Sequence, residues 1–427
     1  GLLWGTEPLA GLVTPLLGRL GEGLARFAAP WMATLPLLAL LHGGAPTWGL
    51  FANLLVLPAV ALLTPLCLAL TFLPLPGPVH LVGAGLAFLA ERLAPALAHL
   101  TPLATGHLAP WLLLLLGWLA LAHRAAALRR TRALAAALAA ATFVLLARHG
   151  VGRAPEALSL EAVDIGTGDA LILRAPGAGT TVLDTGEDPW AARRLVRALS
   201  RRGVREPVHL ILTHPHADHA GGWATFARLW PVADLRGPVI AEPSAWDSWK
   251  PSQGPAMEPM RRGEGWRDGP LAFSVRWPPK PFALPDANML SLVLRARCQD
   301  RELWLMGDAL QLQERDLLDL GDPGPGERVH RALKVGHHGS RSSGDPRWLA
   351  ALRPDAALIT AGLHNRFEHP HPETLAALAA AGIPFAVVGP RRGLRLTAAP
   401  GGWLLEGGDG GAAFLPFRTP SGPPAGR

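Results

Sequence analysis

Hydrophobic and polar positions change rhythm once along this chain, near residue 150. Before that point apolar residues run on in long stretches. Residues 49–73 carry no charge and are long enough to span a bilayer. Pro58 and Pro65 would kink such a helix, which a membrane bundle tolerates where neighbours satisfy the freed carbonyls. Residues 31–42 are apolar but short, and 80–100 set Glu91 and Arg92 in an apolar run, which predicts an interfacial or bundle-facing helix. Residues 107–122 and 133–148 read as a hairpin, with soluble core helices over 107–148 as the alternative. From about residue 157 the texture is different. Short β-branched or apolar runs alternate with Gly, Asp and Pro turns: LSLEAVDI, ALILRA, TTVLDTG, VHLILTH, SLVLRA, ELWLMGD, HRALKVGHHG, AALITAG and FAVVG. These are strand signals. Helical stretches fall at about 188–202, 219–229, 310–318 and 371–381. Strands ending in polar residues with helices between them predict an αββα sandwich whose site lies at the strand ends. Residues 243–270, rich in Pro, Gly and Trp, read as a loop insertion, and 401–427 as a loose tail.

Charge sharpens the division. Of the 427 residues only 17% are charged, against the usual quarter of a soluble domain. Residues 1–150 hold three acidic residues (Glu7, Glu22, Glu91), eight arginines and no Lys or Asp. That leaves a first part like a set of transmembrane helices and a second part like a soluble domain over 157–400. Arg124, Arg129, Arg130 and Arg132 sit between the two hairpin segments, and short basic loops stay in the cytoplasm. Everything after residue 150 is then expected outside the cytoplasm, on an inner-membrane, multi-pass protein. The chain starts at Gly1 in an apolar segment without a signal-peptide layout, so it reads as a fragment with its natural N-terminus upstream. Two cysteines, Cys67 and Cys298, exclude a disulfide scaffold and a cysteine-based zinc site.

The densest chemistry is ILTHPHADHAGG at 211–222. An apolar strand delivers His214, His216, Asp218 and His219 into one turn. Two imidazoles and a carboxylate–imidazole pair suit two adjacent divalent ions, Zn²⁺ or Mn²⁺. A lone histidine is more often a satisfied polar residue than a ligand, but four ligand types in six positions after a strand are not. A bridging carboxylate is expected at a later strand end, where ELWLMGDA supplies Asp308. LKVGHHGS supplies His337 and His338, of which either is the ligand, with His338 placed on the metal and His337 among the catalytic residues. Asp184, in VLDTG, is expected to hold a ligand histidine in orientation. GTGD at 166–169 lacks the Lys-Ser/Thr of a nucleotide-binding loop and precedes a strand, which excludes that reading.

The order DTG, THPHADH, GD, GHHGS resembles the metallo-β-lactamase superfamily. VDIGTGDALIL, TVLDTG, NMLSLVL, LKVGHHGSRSS and ALITAGLHNRFEHPHPETL resemble, more closely, the C-terminal domain of the ComEC family of DNA-internalisation proteins. ANLLVLPAVALLTPL at 52–66 is similar to the end of that family's competence membrane domain. The resemblance implies a multi-domain protein: an α-helical transmembrane segment followed by an α/β metallo-β-lactamase-like domain. It implies a natural-competence protein that moves single-stranded DNA across the inner membrane while its hydrolase domain degrades the other strand of double-stranded DNA. Lipid bilayer, DNA and other competence proteins are the implied partners. Many superfamily members carry a third isolated histidine about twenty residues before the bridging Asp; here Asn288 stands in that stretch, leaving one metal a weaker ligand set or an extra water.

On this reading a hydroxide formed between two cations attacks phosphorus in line. Asp218 orients it, and Lys334, Arg341 and Arg366 are candidate phosphate donors, each equally a solvated surface charge on its own. Asn288, Ser340, Asn365 and His369 complete the expected substrate contacts. Asp169 is expected near the site mouth in support of the ligands. Two alternatives stand beside the nuclease: the same fold acting on another phosphoester, and a domain that binds or gates DNA without hydrolysis.

Overall fold

The structure is a computed structural model. It describes residues 154–418, apart from 205, 253, 280–285, 325–328, 363–364, 366, 389–392 and 409, and only scattered positions before 154. The chain divides into one unit of Gly1–Arg153 with Arg197–Arg205 and a second of Ala154–Val196 with Glu206–Arg427. In the first, Gly44–Ala45 pairs antiparallel with Leu103–Ala104. The segments read above as membrane spans, 49–73, 107–122 and nearly all of 133–148, lie outside the described residues. Among the described residues no helix is long and apolar enough to cross a membrane.

From Ala154 onward the chain is built on two sheets. In chain order its elements are β1 (Ser159–Ala162), β2 (Leu171–Arg174), β3 (Thr181–Leu183), α1 (Pro189–Arg201), β4 (Val208–Ile211), α2 (Ala217–Ala220), α3 (Trp223–Leu229), β5 (Val232–Pro238), β6 (Met257–Met260), β7 (Gly265–Asp268), β8 (Leu271–Trp277), β9 (Val293–Cys298), β10 (Arg301–Leu305), α4 (Gln311–Asp319), β11 (His330–Lys334), α5 (Pro346–Leu352), β12 (Ala356–Ile359), α6 (Pro372–Ala380), β13 (Phe385–Val387), β14 (Leu394–Ala399), β15 (Gly402–Gly407) and β16 (Ala412–Pro416). The first sheet has nine strands in the order β16-β15-β14-β1-β2-β3-β4-β5-β6 and the second seven in the order β13-β12-β11-β10-β9-β8-β7.

The two sheets face each other across one core. Leu171, Leu173, Leu183 and Ile211 of the first meet Leu271, Phe273, Leu294, Leu303, Leu305 and Leu358 of the second. Strands β10 to β12 are parallel and buried on both faces over their later residues, so Leu303–Leu305, Ala332–Leu333 and Ala356–Ile359 are apolar on consecutive positions rather than alternating. Their outer face packs Trp304 and Leu333 against Trp348 and Leu349 of α5, Leu317 of α4 and Leu378 of α6. Parallel neighbours require crossover helices, and α1, α2–α3, α4 and α5 fill those places. This is the αββα sandwich predicted from the strand pattern.

Two expectations change. The loose tail from residue 401 is in part a hairpin, because β15 and β16 extend the first sheet through β14; Trp403 is fully buried there. Residues 419–427 lie outside the described residues. The loop insertion at 243–270 supplies β6 and β7, an edge strand for each sheet. Edge strands tolerate the Pro and Gly that made this stretch look irregular.

Candidate metal centre

Parallel pairing aligns the strand ends that carry the site. Leu183 lies opposite Ile211 across β3 and β4, and Leu305 opposite Lys334 across β10 and β11. The polar residues that follow each strand therefore emerge at one level, His214 to His219 from the first sheet and Asp308 and His338 from the second. Two glycines permit the close approach. Gly168 has φ +90°, and a Cβ there would sit 1.8 Å from the carbonyl oxygen of Asp218; the next residue, Asp169, donates its backbone N–H to that same oxygen at 3.1 Å. Gly307 has φ +51°, and a Cβ would meet Ser291 Oγ at 2.6 Å. His337 and His338 both sit in the left-handed region, at φ 44° and 52°, a strained backbone for non-glycine residues that turns their side chains apart.

Ligand-type atoms converge in the space between the sheets. Asp218, His219, Asp308 and His338 form one group with all ligating atoms within 4.8 Å of one another. Asp308 faces both ways: Oδ1 is 3.2 Å from His219 Nε2, while Oδ2 is 3.5 Å from His338 Nε2 and 4.0 Å from His214 Nε2. Asp218 Oδ2 lies 3.3 Å from His338 Nε2. His214 Nε2 and His216 Nδ1 are 3.1 Å apart at the other side of Asp308. A cation fits this arrangement by a direct test. His219 Nε2, His338 Nε2 and Asp308 Oδ1 are buried atoms without a hydrogen-bond partner, and they point at one another. Orphaned buried polar atoms are rare in folded proteins.

The groups behind the cluster set its tautomers. His219 Nδ1–H donates to Asp184 Oδ2 at 2.8 Å. Asp184 also accepts from the Thr213 N–H and Thr213 Oγ1, each at 2.7 Å. With its hydroxyl proton spent on Asp184, Thr213 Oγ1 is left to accept from His214 Nδ1–H at 3.1 Å. His338 Nδ1–H donates to the Thr360 carbonyl at 2.8 Å. Each ring thereby turns Nε2 inward, the atom whose lone pair would meet a cation once its proton is given up. Ser291 Oγ receives the Asp308 N–H at 2.7 Å and fixes that carboxylate's base.

Electrostatics show the same bias toward cations. Burial alone would raise Asp308, but His219 and His338 beside it hold its carboxyl well below the usual range. His219 is held well above the ordinary imidazole value: burial opposes this, and Asp308, Asp184 and Asp218 outweigh it. His338 is raised in the same way by Asp308 and Asp169. His214 goes the other way, pushed down by burial and by the charge on His219.

Of the remaining expected residues, several are placed differently from the sequence reading. Lys334 is fully buried; its ammonium donates to the Gly307 carbonyl at 2.9 Å and pairs with Asp169, so it lies beneath the cluster and out of a substrate's reach. Asp169 is likewise interior rather than at the mouth, with Oδ1 3.4 Å from His338 Nδ1. His337 has its Nδ1 3.3 Å from Ser342 Oγ, and its ring centroid lies 6.3 Å from that of His338 and 5.4 Å from that of His369. Ser340 is buried, with Oγ 3.0 Å from Ser342 Oγ. Asn365 spends its amide on its own loop, donating to the Gly362 and His369 carbonyls and accepting from the His369 N–H. Asn288 is buried with Oδ1 unpartnered. Arg341 and His369 do reach the rim, and Arg366 lies outside the described residues. Thr213, Ser291 and Thr360 were missed. Thr213 had a signal, its place directly before the histidine run; Thr360 acts through its carbonyl, which no side-chain pattern reveals.

Residues 163–362 match the Metallo-beta-lactamase superfamily. The chain is 30% identical over 239 residues to ComE operon protein 3 of Bacillus subtilis, covering 51% of this chain and 30% of that protein. It is 28% identical over 372 residues to Competence protein ComA of Neisseria gonorrhoeae, covering 85% and 50%. The chain spans between 25% and 50% of the length of the curated relatives it matches. Among solved structures it is similar to the metallo-beta-lactamase fold protein YhfI from Bacillus subtilis, at 12% identity and a TM-score of 0.37 over 54% of this chain and 96% of that one. Together the competence relatives and the superfamily match support a ComEC-like protein in which residues 163–362 are similar to the metallo-β-lactamase superfamily.

Proposed function

We propose that the second unit is a metal-dependent phosphodiesterase acting on DNA within a DNA-uptake protein of natural competence. The observation that carries this reading is the convergence of His219 Nε2, His338 Nε2 and Asp308 Oδ1, all buried and unpartnered, beside the His214–His216 pair. His214, His216 and Asp308 would hold one divalent ion, and Asp218, His219, His338 and Asp308 a second, with Asp308 shared. Zn²⁺ and Mn²⁺ both suit a set of imidazoles and carboxylates. When bound, such ions supply Lewis-acid charge to a phosphoryl oxygen and lower the pKa of water.

The chain's own groups do the rest. Asp218 is the most solvent-exposed carboxylate of the set, with 27% of its side chain accessible, and is placed to orient an attacking water. Asp184, Thr213 and Thr360 keep three imidazoles in the ligating tautomer. Lys334 offsets the charge of Asp169 and Asp308 from below. Arg341, exposed on the turn after His338, is placed to take a phosphate. The wider setting belongs to the same proposal: residues 1–150 anchor the chain in the inner membrane, the second unit lies outside the cytoplasm, one DNA strand is degraded there and the other passes inward.

The test is cleavage of labelled single- and double-stranded DNA by the full chain with Mn²⁺, Zn²⁺ or chelator, beside a variant carrying His216→Ala and Asp218→Ala. Metal-dependent cleavage that the variant lacks is the expected result. Intact DNA under every metal, with metal content confirmed, would shift the reading to another phosphoester or to a domain that gates DNA.

A further inference from the structure

The metal cluster continues outward as a stack of rings. The His369 imidazole lies at 25° to that of His338, with centroids 6.3 Å apart. The Phe367 ring lies at 25° to His369, with centroids 5.7 Å apart. Both separations fall within the range of interacting aromatic pairs. The stack begins at a buried ligand-type residue and reaches Phe367, which is 51% exposed. One exposed aromatic alone means little, since single surface apolar residues are ordinary. Here the loop that carries it is held in place. Asn365 grips the His369 backbone on both sides, at 2.7 and 2.8 Å, and the His371 N–H donates to the Gly339 carbonyl at 2.9 Å, next to His338. The Arg341 guanidinium lies 3.4 Å from His371 Nε2, whose ring is 4.9 Å from that of His369.

We propose that Phe367 and His369 form a stacking wall for an unpaired nucleobase beside the phosphodiester held at the metal cluster, so that the strand accepted there is single. This rests on the DNA-hydrolase reading and names its substrate form. A nucleobase fits because every base has a π face and stacks on aromatic side chains with little regard to sequence. Arg341 stands where the backbone of such a strand would carry negative charge. A base inside a duplex is already stacked on both sides and would have to be extruded to reach Phe367. Duplex ends and gaps therefore enter, and closed duplex does not.

The test compares the full chain with Phe367→Ala and Phe367→Trp. Fluorescence anisotropy in chelator measures binding to a labelled oligothymidylate and to an abasic oligomer of equal length. Cleavage of both is then followed with Mn²⁺. Phe367→Ala is expected to bind oligothymidylate about ten-fold more weakly, or about 1.4 kcal/mol, to bind the abasic oligomer as before, and to raise KM for the thymidylate strand alone; Phe367→Trp restores both. Equal binding of oligothymidylate by Phe367→Ala and the parent overturns the wall. So does an equal loss on both oligomers, which would mark a damaged loop. Loss of binding to phosphatidylglycerol vesicles with DNA binding intact overturns it in favour of a lipid contact. Phe367-dependent binding with no cleavage under any metal would leave the wall standing and remove the hydrolase reading beneath it.

Discussion

Lys334 is the residue whose setting says most about the site. It ends a strand buried on both faces, and its ammonium reaches Gly307, Asp169 and, at 3.9 Å, Asp308. Burial would lower its pKa, yet Asp169 and Asp308 outweigh that and keep it above the ordinary lysine value. Removing one partner of a buried pair leaves a charge uncompensated, which costs more than the pair contributes. Lys334→Met is therefore expected to destabilise by roughly 3–5 kcal/mol, read as the urea midpoint, with Lys334→Met plus Asp169→Leu recovering most of it. A variant as stable as the parent would mean that Asp169 finds another cation. Asp184 calls for a different expectation. Asn in its place keeps the shape and the contact with Thr213 but loses the charge that orients His219. Asp184→Asn should lower metal affinity roughly 10–100-fold with little change in the urea midpoint, as measured by titration calorimetry with Mn²⁺. Unchanged affinity would remove Asp184 from the site's support. Asp184 was legible because VLDTG puts it at a strand end. The burial of Lys334 was not, because its partner Asp169 lies far away in sequence and only the meeting of two sheets joins them.

At the scale of elements, the turn that carries His338 is held from below by a helix. Glu314 of α4 accepts the Gly344 N–H at 3.0 Å and the Asp345 N–H at 2.6 Å, at the start of α5. Burial raises its carboxyl to about 7 from an ordinary 4.5, against the pull of those two N–H groups. An acid with a raised folded pKa is stabilised in its protonated form. Its contribution is complete below about 4.5 and is lost as pH rises through about 7. A Glu314→Gln variant loses this titration. Its urea midpoint is expected to gain on the parent's between pH 5 and 8, with a full span on the order of 3 kcal/mol. A constant difference across that range would show that Glu314 titrates normally. The same region shows what sequence rhythm reveals and hides. Helix α4 was read from 310–318, but α5 was not, since a seven-residue helix that opens on the Pro of Ser-Ser-Gly-Asp-Pro resembles a turn. Strand β8 alternates buried and half-buried along its whole length, yet Pro and Gly on both sides obscured it. Strand β5 carries Asp, Gly and Pro inside itself, and only its place between β4 and β6 makes it a strand.

The whole second unit is joined at its site. His214, His216, Asp218 and His219 follow β4 in the first sheet, while Asp308 and His338 follow β10 and β11 in the second. A cation held by both sets would fasten one sheet to the other, at the open end of an otherwise apolar core. Four carboxylates, Asp169, Asp184, Asp218 and Asp308, crowd this space, and without a cation their charge is met by Lys334 and by protons on His219 and His338. The metal must displace those protons, so its apparent affinity rises with pH as the two imidazoles give them up. A ligand that binds only the folded state stabilises it by about 2.7 kcal/mol at a hundred times its dissociation constant. Mn²⁺ or Zn²⁺ should therefore raise the thermal midpoint of the full chain relative to chelator, by more at pH 8 than at pH 6. Asp308→Asn, which weakens both positions at once, should abolish the shift, whereas Arg341→Ala should retain it. The same midpoint with metal and with chelator at pH 8 would mean that the cluster takes no divalent ion, and that the ionised histidines and carboxylates are the site's resting partners for one another.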